Sequence, residues 1–192
     1  MVGLPLTIPN MITLFRIVLI PIFVLAFIIP DYVNQHIVLV SIFFLASVSD
    51  WIDGYLARKL KQESAFGAFL DPVADKLMVS TAIILLVSKY PGWFMILPAL
   101  VIVGRELAIS ALREWMANLG AQAKVKVHFI GKLKTASQFW AIGFLLYDEP
   151  IGSFEPTFYG YILLYIATVL TLWSMVVYLL AAWPSIKGNE KP

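Results

Sequence analysis

Cysteine is absent from the 192 residues, histidine occurs only twice, and charged residues make up only 14% of the chain. Without cysteine the chain forms no disulfide, zinc–thiolate site or iron–sulfur cluster and uses no thiol nucleophile. His36 and His128 are far apart in sequence and lack the spacing of a histidine metal site. The low charge sets this chain apart from soluble domains, in which roughly 25% of residues are charged.

Apolar residues take the place of the missing charge, because 60% of the chain is hydrophobic. A membrane-spanning helix needs about 20 mostly apolar residues, and six segments meet that requirement. We therefore expect an all-α integral membrane protein with one membrane-embedded domain over residues 1–192. The third span should begin near Asp71-Pro72, the sixth should end before Pro184, and Pro5 to Asn10 should form a short surface segment. The predicted spans cover about 8–29, 35–57, 71–88, 93–118, 131–147 and 158–183.

The loops differ in charge, and this difference predicts the orientation of the chain. Basic residues follow the second span, separate the fourth and fifth spans, and occupy the C-terminal tail. They are Arg58, Lys59, Lys61, Lys124, Lys126, Lys132, Lys134, Lys187 and Lys191. The loop between the fifth and sixth spans instead carries Asp148, Glu149 and Glu155. Both termini and the basic loops are therefore expected on the cytoplasmic side.

Four aspartates lie where the second predicted span ends and the third begins. They are Asp50, Asp53, Asp71 and Asp75. The first pair is spaced i, i+3 and the second i, i+4, so each pair shares one helix face. Gly54 and Ala57 lie on the face of the first pair and leave room for a bulky ligand near the backbone. If the two helices pack antiparallel, all four carboxylates converge on one cavity.

Four converging carboxylates repel one another unless cations neutralise them. Carboxylate oxygens suit Mg²⁺, Mn²⁺ or Ca²⁺. Two such ions about 3.5–4 Å apart clamp the attacking and leaving oxygens of a displacement at phosphorus. The alternative is that the aspartates cap helices or pair with Arg58, Lys59 and Lys76, which explains one or two of the four.

The pattern resembles the signature of the CDP-alcohol phosphotransferase family at every position and gap. It reads Asp50-x2-Asp53-Gly54-x2-Ala57-Arg58-x8-Gly67-x3-Asp71-x3-Asp75. Residues 9–16, 67–76, 104–106, 111–116 and 131–135 are also similar to a branch of that family that acts on glycerol 3-phosphate. The resemblance implies the fold of this family, a homodimer with six membrane helices per subunit, and two divalent ions, Mg²⁺ or Mn²⁺.

The resemblance also implies a reaction and a place for it. A phosphatidyl group would pass from CDP-diacylglycerol to sn-glycerol 3-phosphate with release of CMP, at the bacterial cytoplasmic (inner) membrane and without nucleic acid. Asp50 and Asp71 would bridge both metals, Asp53 and Asp75 would each complete one metal site, and Asp75 would be the general base. The CDP-lipid would contact Asn10, Thr13, Asp53, Gly54, Ala57, Arg58, Ser64 and Gly67. For Asn10 and Thr13, interhelical hydrogen bonding is the alternative.

The acceptor carries a phosphate, so its site needs cations. Arg105 lies inside the fourth predicted span, where a lone guanidinium is costly, and arginine is suited to bidentate phosphate contacts. The candidate acceptor ligands are Arg105, Arg113, Lys132 and Lys134. An ion pair with Glu106 is the alternative for Arg105, and positive-inside bias is the alternative for the two lysines.

Three other functions compete with this one. One is the function of another member of the same family, such as a phosphatidylserine, phosphatidylinositol phosphate or cardiolipin synthase. An intramembrane prenyltransferase also holds Mg²⁺ with aspartate-rich helices, but its acidic motifs lie on two distant helices. A cation transporter would use the aspartates as an ion site, yet the sequence contains no internal repeat typical of transporters.

Overall fold

The computed structural model of the protein describes residues 7–29, 32–60, 64–118 and 128–188. Within these ranges the chain forms six α-helices, and its only β-type pairing is an isolated bridge between Ile151 and Phe154. The all-α prediction is confirmed. The helices are α1 Ile8–Ile28, α2 Gln35–Leu60, α3 Ala65–Lys89, α4 Trp93–Asn118, α5 His128–Tyr147 and α6 Pro156–Gly188.

Four of the described helices, α1, α2, α4 and α6, are long and apolar enough to cross a membrane. Large apolar side chains along them are exposed, with Leu25 59%, Leu100 64% and Val169 64% accessible. Apolar surface of this extent is unfavourable in water and favourable against lipid. The protein is therefore a membrane protein. Helices α3 and α5 carry charged residues in the first half of each, Asp71, Asp75 and Lys76 in α3 and Lys132 and Lys134 in α5.

The third helix begins earlier than the sequence predicts. Ser64 caps it, because its hydroxyl oxygen accepts a hydrogen bond of 2.9 Å from the N–H of Gly67, three residues later. Helix α3 therefore starts at Ala65, and Asp71 and Pro72 lie inside it. The prediction of a start near Asp71-Pro72 is wrong, because the ring of Pro72 removes one intrahelical hydrogen bond without ending the helix.

Other helix ends also differ from the predicted boundaries. Helix α2 continues one turn beyond Ala57, so Arg58 and Lys59 form its last turn, where cations are favourable to the helix dipole. Helix α6 passes through Pro184 to Gly188, so the predicted stop at this proline is wrong. Ile8 to Asn10 form the start of α1, whereas Pro5 and Leu6 of the predicted surface segment lie outside the described residues. The basic residues Lys61, Lys124, Lys126 and Lys191 lie outside them too.

The chain separates into two compact units. The first comprises Met1–Lys89 and Leu145–Pro156. In it α1 packs against α2 and α3, and Phe23 and Phe43 are completely or almost completely buried. The packing of α1 against both aspartate-bearing helices brings polar side chains of α1 to the carboxylates.

The second unit comprises Tyr90–Phe144 and Thr157–Pro192 and contains α4, most of α5 and α6. Ile102, Ile142 and Leu164, one from each of these helices, are fully buried. Polar contacts add to this packing, since the Tyr165 hydroxyl on α6 donates a hydrogen bond of 3.1 Å to the carbonyl of Phe94 on α4. This hydrogen bond joins α6 to the first turn of α4.

Candidate functional site

Thr13 on α1 joins the two aspartate-bearing helices. Its hydroxyl oxygen lies 2.8 Å from Asp71 Oδ1 on α3 and 3.2 Å from Asp53 Oδ2 on α2. Because a hydroxyl has one proton, it donates to only one of these carboxylates at a time. Asp53 on α2 and Asp71 on α3 are therefore neighbours, and the convergence of all four carboxylates stays a prediction.

Arg16, one turn after Thr13 on α1, pairs with the aspartates of α2. Its Nη1 donates to Asp50 Oδ1 at 2.6 Å, and its Nη2 donates to Asp53 Oδ2. Only 1% of the Arg16 side chain is exposed, and 3% of Asp53, whereas Asp50 is 47% exposed. The buried guanidinium of Arg16 thus neutralises the buried carboxylate of Asp53 and also forms an ion pair with the exposed carboxylate of Asp50.

Sequence analysis did not assign a role to Arg16. The available signal was that Arg16 is the one charged residue between Ile8 and Ile28 and follows Thr13 by three residues. A single charge inside an apolar span is costly unless it has a partner. Arg16 lies inside an apolar span as Arg105 does, and the same cost of an unpaired charge predicts a partner for it.

The fourth aspartate, Asp75, follows Asp71 by one helical turn on α3, and its side chain is exposed. In the described ranges no three histidine or acidic side chains are grouped closely enough to hold a metal ion. The donor chemistry nevertheless suits Mg²⁺ or Mn²⁺, because carboxylates offer only oxygen ligands. Thr13 links Asp53 to Asp71, and Arg16 links Asp53 to Asp50. In this arrangement the guanidinium of Arg16 supplies the positive charge.

Asn10, Ser64 and Gly67 form a tight contact between α1 and the start of α3. The Asn10 side chain donates to Ser64 Oγ at 3.0 Å and is only 2% exposed. A Cβ atom added to Gly67 would lie 2.6 Å from Asn10 Oδ1. Glycine at this position is therefore explained by the close approach of α1. Asn10 and Thr13 make interhelical hydrogen bonds, which the sequence analysis gave as the alternative role for these residues. Their contact with the nucleotide stays a prediction.

Gly54 differs from Gly67 in its surroundings. A Cβ atom added to Gly54 would meet no described atom within 4 Å. Gly54 follows Asp53 directly, so open space adjoins the carboxylate pair of α2. Ala57 is partly exposed and Arg58 is exposed on the same helix. The approach of a bulky ligand to the aspartates at this open side of α2 stays a prediction.

In the second unit, α4 and α5 hold a group of charged side chains. Glu106 Oε1 accepts hydrogen bonds from Arg105 Nη1 at 3.0 Å and from Lys134 Nζ at 2.5 Å. The expected alternative for Arg105, an ion pair with Glu106, is therefore present. Arg105 is 10% exposed and Lys134 is buried, whereas Lys132 is exposed. The structure thus brings two of the four predicted acceptor ligands together around one carboxylate.

Helix α6 adds two residues to this group that sequence analysis missed. Arg105 Nη2 donates to Ser174 Oγ at 3.2 Å, and Arg113 Nη2 donates to the hydroxyl of Tyr178 at 2.7 Å. Ser174 and Tyr178 are spaced i, i+4 on α6, so they face α4 together. We refer to Arg105, Glu106, Arg113 and Lys134 with these two residues as the basic cluster.

The matching family covers residues 6–173 and is described as CDP-alcohol phosphatidyltransferase. This chain belongs to that family. The match includes all four aspartates, Arg16, Arg105, Arg113 and Lys134, but it ends just before Ser174 and Tyr178. The family predicted from the aspartate pattern is confirmed.

Relatives within the family extend the similarity over almost the whole chain. A protein of Yersinia pestis (strain Pestoides F) is 49% identical over 181 residues, which is 94% of this chain and 97% of the relative. Proteins of Pseudomonas fluorescens and Haemophilus influenzae are 50% and 48% identical, with 97% and 95% of this chain covered and 95% and 96% of theirs. Each is named CDP-diacylglycerol–glycerol-3-phosphate 3-phosphatidyltransferase.

Proposed function

We propose that this protein transfers the phosphatidyl group of CDP-diacylglycerol to a hydroxyl of sn-glycerol 3-phosphate, giving phosphatidylglycerophosphate and CMP. The observation that carries this proposal is the similarity, close to 50% identity over nearly the full length, to relatives whose name states this reaction. The carboxylate group around Thr13 and Arg16 supplies a physical basis for it.

The four aspartates are the proposed metal ligands. Asp50, Asp53, Asp71 and Asp75 would together hold the two ions. Bound Mg²⁺ or Mn²⁺ supplies Lewis-acid stabilisation of the negative charge that builds up on the phosphate oxygens. The exposure of Asp50 and Asp75 leaves carboxylate oxygens accessible from outside the helix bundle.

Asp75 is the proposed general base. It accepts the proton of the glycerol hydroxyl while that oxygen forms a bond to the phosphorus that bears the lipid. The bond from that phosphorus to the oxygen shared with the CMP phosphate breaks, and CMP leaves with the bonding electrons. Asp75 is suited to this role because its side chain is exposed on the helix that also carries Asp71.

The CDP-lipid would lie along the open side of α2. The absence of a side chain at Gly54 leaves room beside Asp53, and the exposed guanidinium of Arg58 suits the pyrophosphate. Ala57, Ser64 and Gly67 would line the nucleotide, with Asn10 and Thr13 behind them.

Arg105, Arg113, Lys132 and Lys134 would bind the phosphate of the acceptor. Arg105, Arg113 and Lys134 carry three positive charges against the one negative charge of Glu106, so the cluster has an excess that suits an anion. The Nε atom of Arg105 is buried and has no hydrogen-bond partner among the described residues. An anionic oxygen would satisfy this donor.

The membrane arrangement belongs to the same proposal. We expect one catalytic domain over residues 1–192, with α3 and α5 completing a set of six spans beside the four strongly apolar helices. Both termini and the active site would face the cytoplasm from a bacterial inner membrane, and two copies would form a homodimer.

The test is release of CMP from CDP-diacylglycerol by the purified protein in detergent with Mg²⁺ or Mn²⁺. Acceptors are compared in parallel: sn-glycerol 3-phosphate, inositol 1-phosphate and serine. The proposal expects release with glycerol 3-phosphate alone, abolished by EDTA and reduced at least about 100-fold by Asp75→Asn. Asp148→Asn is the matched control, because Asp148 makes a partly exposed ion pair of 3.0 Å with Lys89 and should leave the rate unchanged.

Inositol phosphate is the acceptor of the second candidate function, because the basic cluster would suit any phosphorylated alcohol. Release with inositol 1-phosphate and not with glycerol 3-phosphate would keep the family and replace the acceptor. No release with any acceptor, in folded protein, would leave the aspartates as a cation site and favour a transporter.

A further inference from the structure

Tyr178 on α6 contacts both arginines of α4 that belong to the basic cluster. The guanidinium carbon of Arg105 lies 5.9 Å from the centre of the Tyr178 ring, and that of Arg113 lies 5.1 Å from it. The hydroxyl of the same tyrosine accepts the hydrogen bond of 2.7 Å from Arg113. One side chain thus orients two cations that are eight residues apart on α4.

Two guanidinium groups near one another repel, and each loses side-chain entropy when it is held in place. The negative face of an aromatic ring offsets part of that repulsion, because it attracts cations within about 6 Å. A tyrosine also offers an oxygen that accepts from a guanidinium. The ring of Tyr178 therefore lowers the free-energy cost of keeping two arginines close together before any anion is bound.

The remaining contacts of Arg105 hold the same orientation. Ser174, one turn before Tyr178, accepts from Nη2 of Arg105, and Glu106 accepts from Nη1. Ser174 is itself only 2% exposed, and its hydroxyl donates to the carbonyl of Thr171 within α6. The partners of Arg105 are thus fixed by helix packing, and its buried Nε is one donor that they leave unused.

We propose that Tyr178 is a positioning residue, which holds the guanidinium groups of Arg105 and Arg113 ready for the phosphate of the acceptor alcohol. The inference rests on the proposed function, because it assumes that these arginines bind an acceptor phosphate. A pre-oriented pair of cations binds an anion more tightly than a mobile pair, since less side-chain entropy is lost on binding. Tyr178 therefore acts on acceptor affinity through the arginines and touches no reacting atom.

The experiment compares Tyr178→Phe and Tyr178→Leu with the unaltered protein in the CMP-release assay. Phenylalanine keeps the ring and loses the hydrogen bond, whereas leucine loses both. We expect the KM for sn-glycerol 3-phosphate to rise about 3-fold in Tyr178→Phe and about 10-fold in Tyr178→Leu. The KM for CDP-diacylglycerol and kcat should change less than about 2-fold, which a general structural defect would not spare.

Tyr165→Phe is the matched control, because it removes another tyrosine hydroxyl that links α6 to α4 but contacts the Phe94 carbonyl. It should leave the KM for the acceptor unchanged. Melting temperatures with and without sn-glycerol 3-phosphate add a readout that is independent of turnover. The acceptor should raise the melting temperature of the unaltered protein more than that of Tyr178→Leu at the same concentration.

Arg105→Gln and Arg113→Gln separate failure of the inference from failure of the proposed acceptor site. If these variants raise the acceptor KM and the Tyr178 variants do not, the positioning role is wrong and the acceptor site stands. If neither the arginine variants nor the Tyr178 variants change the acceptor KM while turnover with glycerol 3-phosphate continues, the phosphate binds elsewhere. The positioning role and the proposed acceptor site are then both wrong. If Tyr178→Leu raised the KM values for both substrates and lowered kcat by similar factors, Tyr178 would only support the fold.

Discussion

The buried ion pair between Arg16 and Asp53 leads to a prediction about stability that does not depend on turnover. Replacing Arg16 by methionine keeps a long apolar side chain and removes the charge. Asp53 would then be a carboxylate only 3% exposed that has lost its cationic partner. Asp50 is 47% exposed, so water solvates it and its lost pairing adds little.

The magnitude follows from the cost of leaving one buried charge unpaired, which is about 3–5 kcal/mol. For a chain of this length each kcal/mol shifts the melting temperature by about 2–4 °C. Arg16→Met is therefore expected to lower the melting temperature by about 6–20 °C. The measurement is thermal unfolding in detergent with EDTA present, so that divalent ions do not compensate for the lost charge.

The double variant Arg16→Met with Asp53→Asn tests the cause of that loss. Removing both charges removes the unpaired carboxylate, so at least half of the lost stability should return. Lys89→Met is the control for charge removal, because it breaks an ion pair in which Lys89 is 27% and Asp148 33% exposed. Loss of this partly exposed pair should change the melting temperature by only a few degrees. A melting temperature for Arg16→Met within about 2 °C of the unaltered protein, or no recovery in the double variant, would refute the reasoning.

Three further predictions concern the carboxylate group and the glycines near it. Gly67→Ala should lower stability by about 1–3 kcal/mol in a denaturation experiment, because its Cβ would lie 2.6 Å from Asn10 Oδ1 inside a buried contact. Gly54→Leu should leave the melting temperature unchanged, since the position is open. It should raise the KM for CDP-diacylglycerol about 10-fold, because the leucine side chain fills the space beside Asp53. An unchanged KM would mean that the lipid binds elsewhere. EDTA should abolish CMP release and Mn²⁺ or Mg²⁺ should restore it, whereas Asp71→Asn should reduce release at least about 100-fold at any metal concentration.

Local spacing was enough to predict the helical class, the family and the shared faces of the aspartates. Hydrophobic runs indicate membrane helices without reference to the rest of the chain. Asp50 and Asp53, like Asp71 and Asp75, share a face because helix geometry relates residues three and four positions apart. The helix boundaries were predicted less well, because Ser64 caps α3 through its side chain and Pro72 is tolerated inside the helix.

Only the tertiary structure decided which side chains complete these local patterns. Arg16 meets Asp50, which lies 34 positions later in the sequence, and Arg105 meets Ser174, which lies 69 positions later. Periodicity describes one helix at a time, so it does not show which helix a face will meet or in what register. The close approach of α1 to α3 at Gly67 and the pairing of Tyr178 with two arginines depend on that packing. The sequence by itself determined the family and the spacing of the four aspartates. The packing of the helices decided that the aspartates meet Thr13 and Arg16 and that the arginines of α4 meet Ser174 and Tyr178.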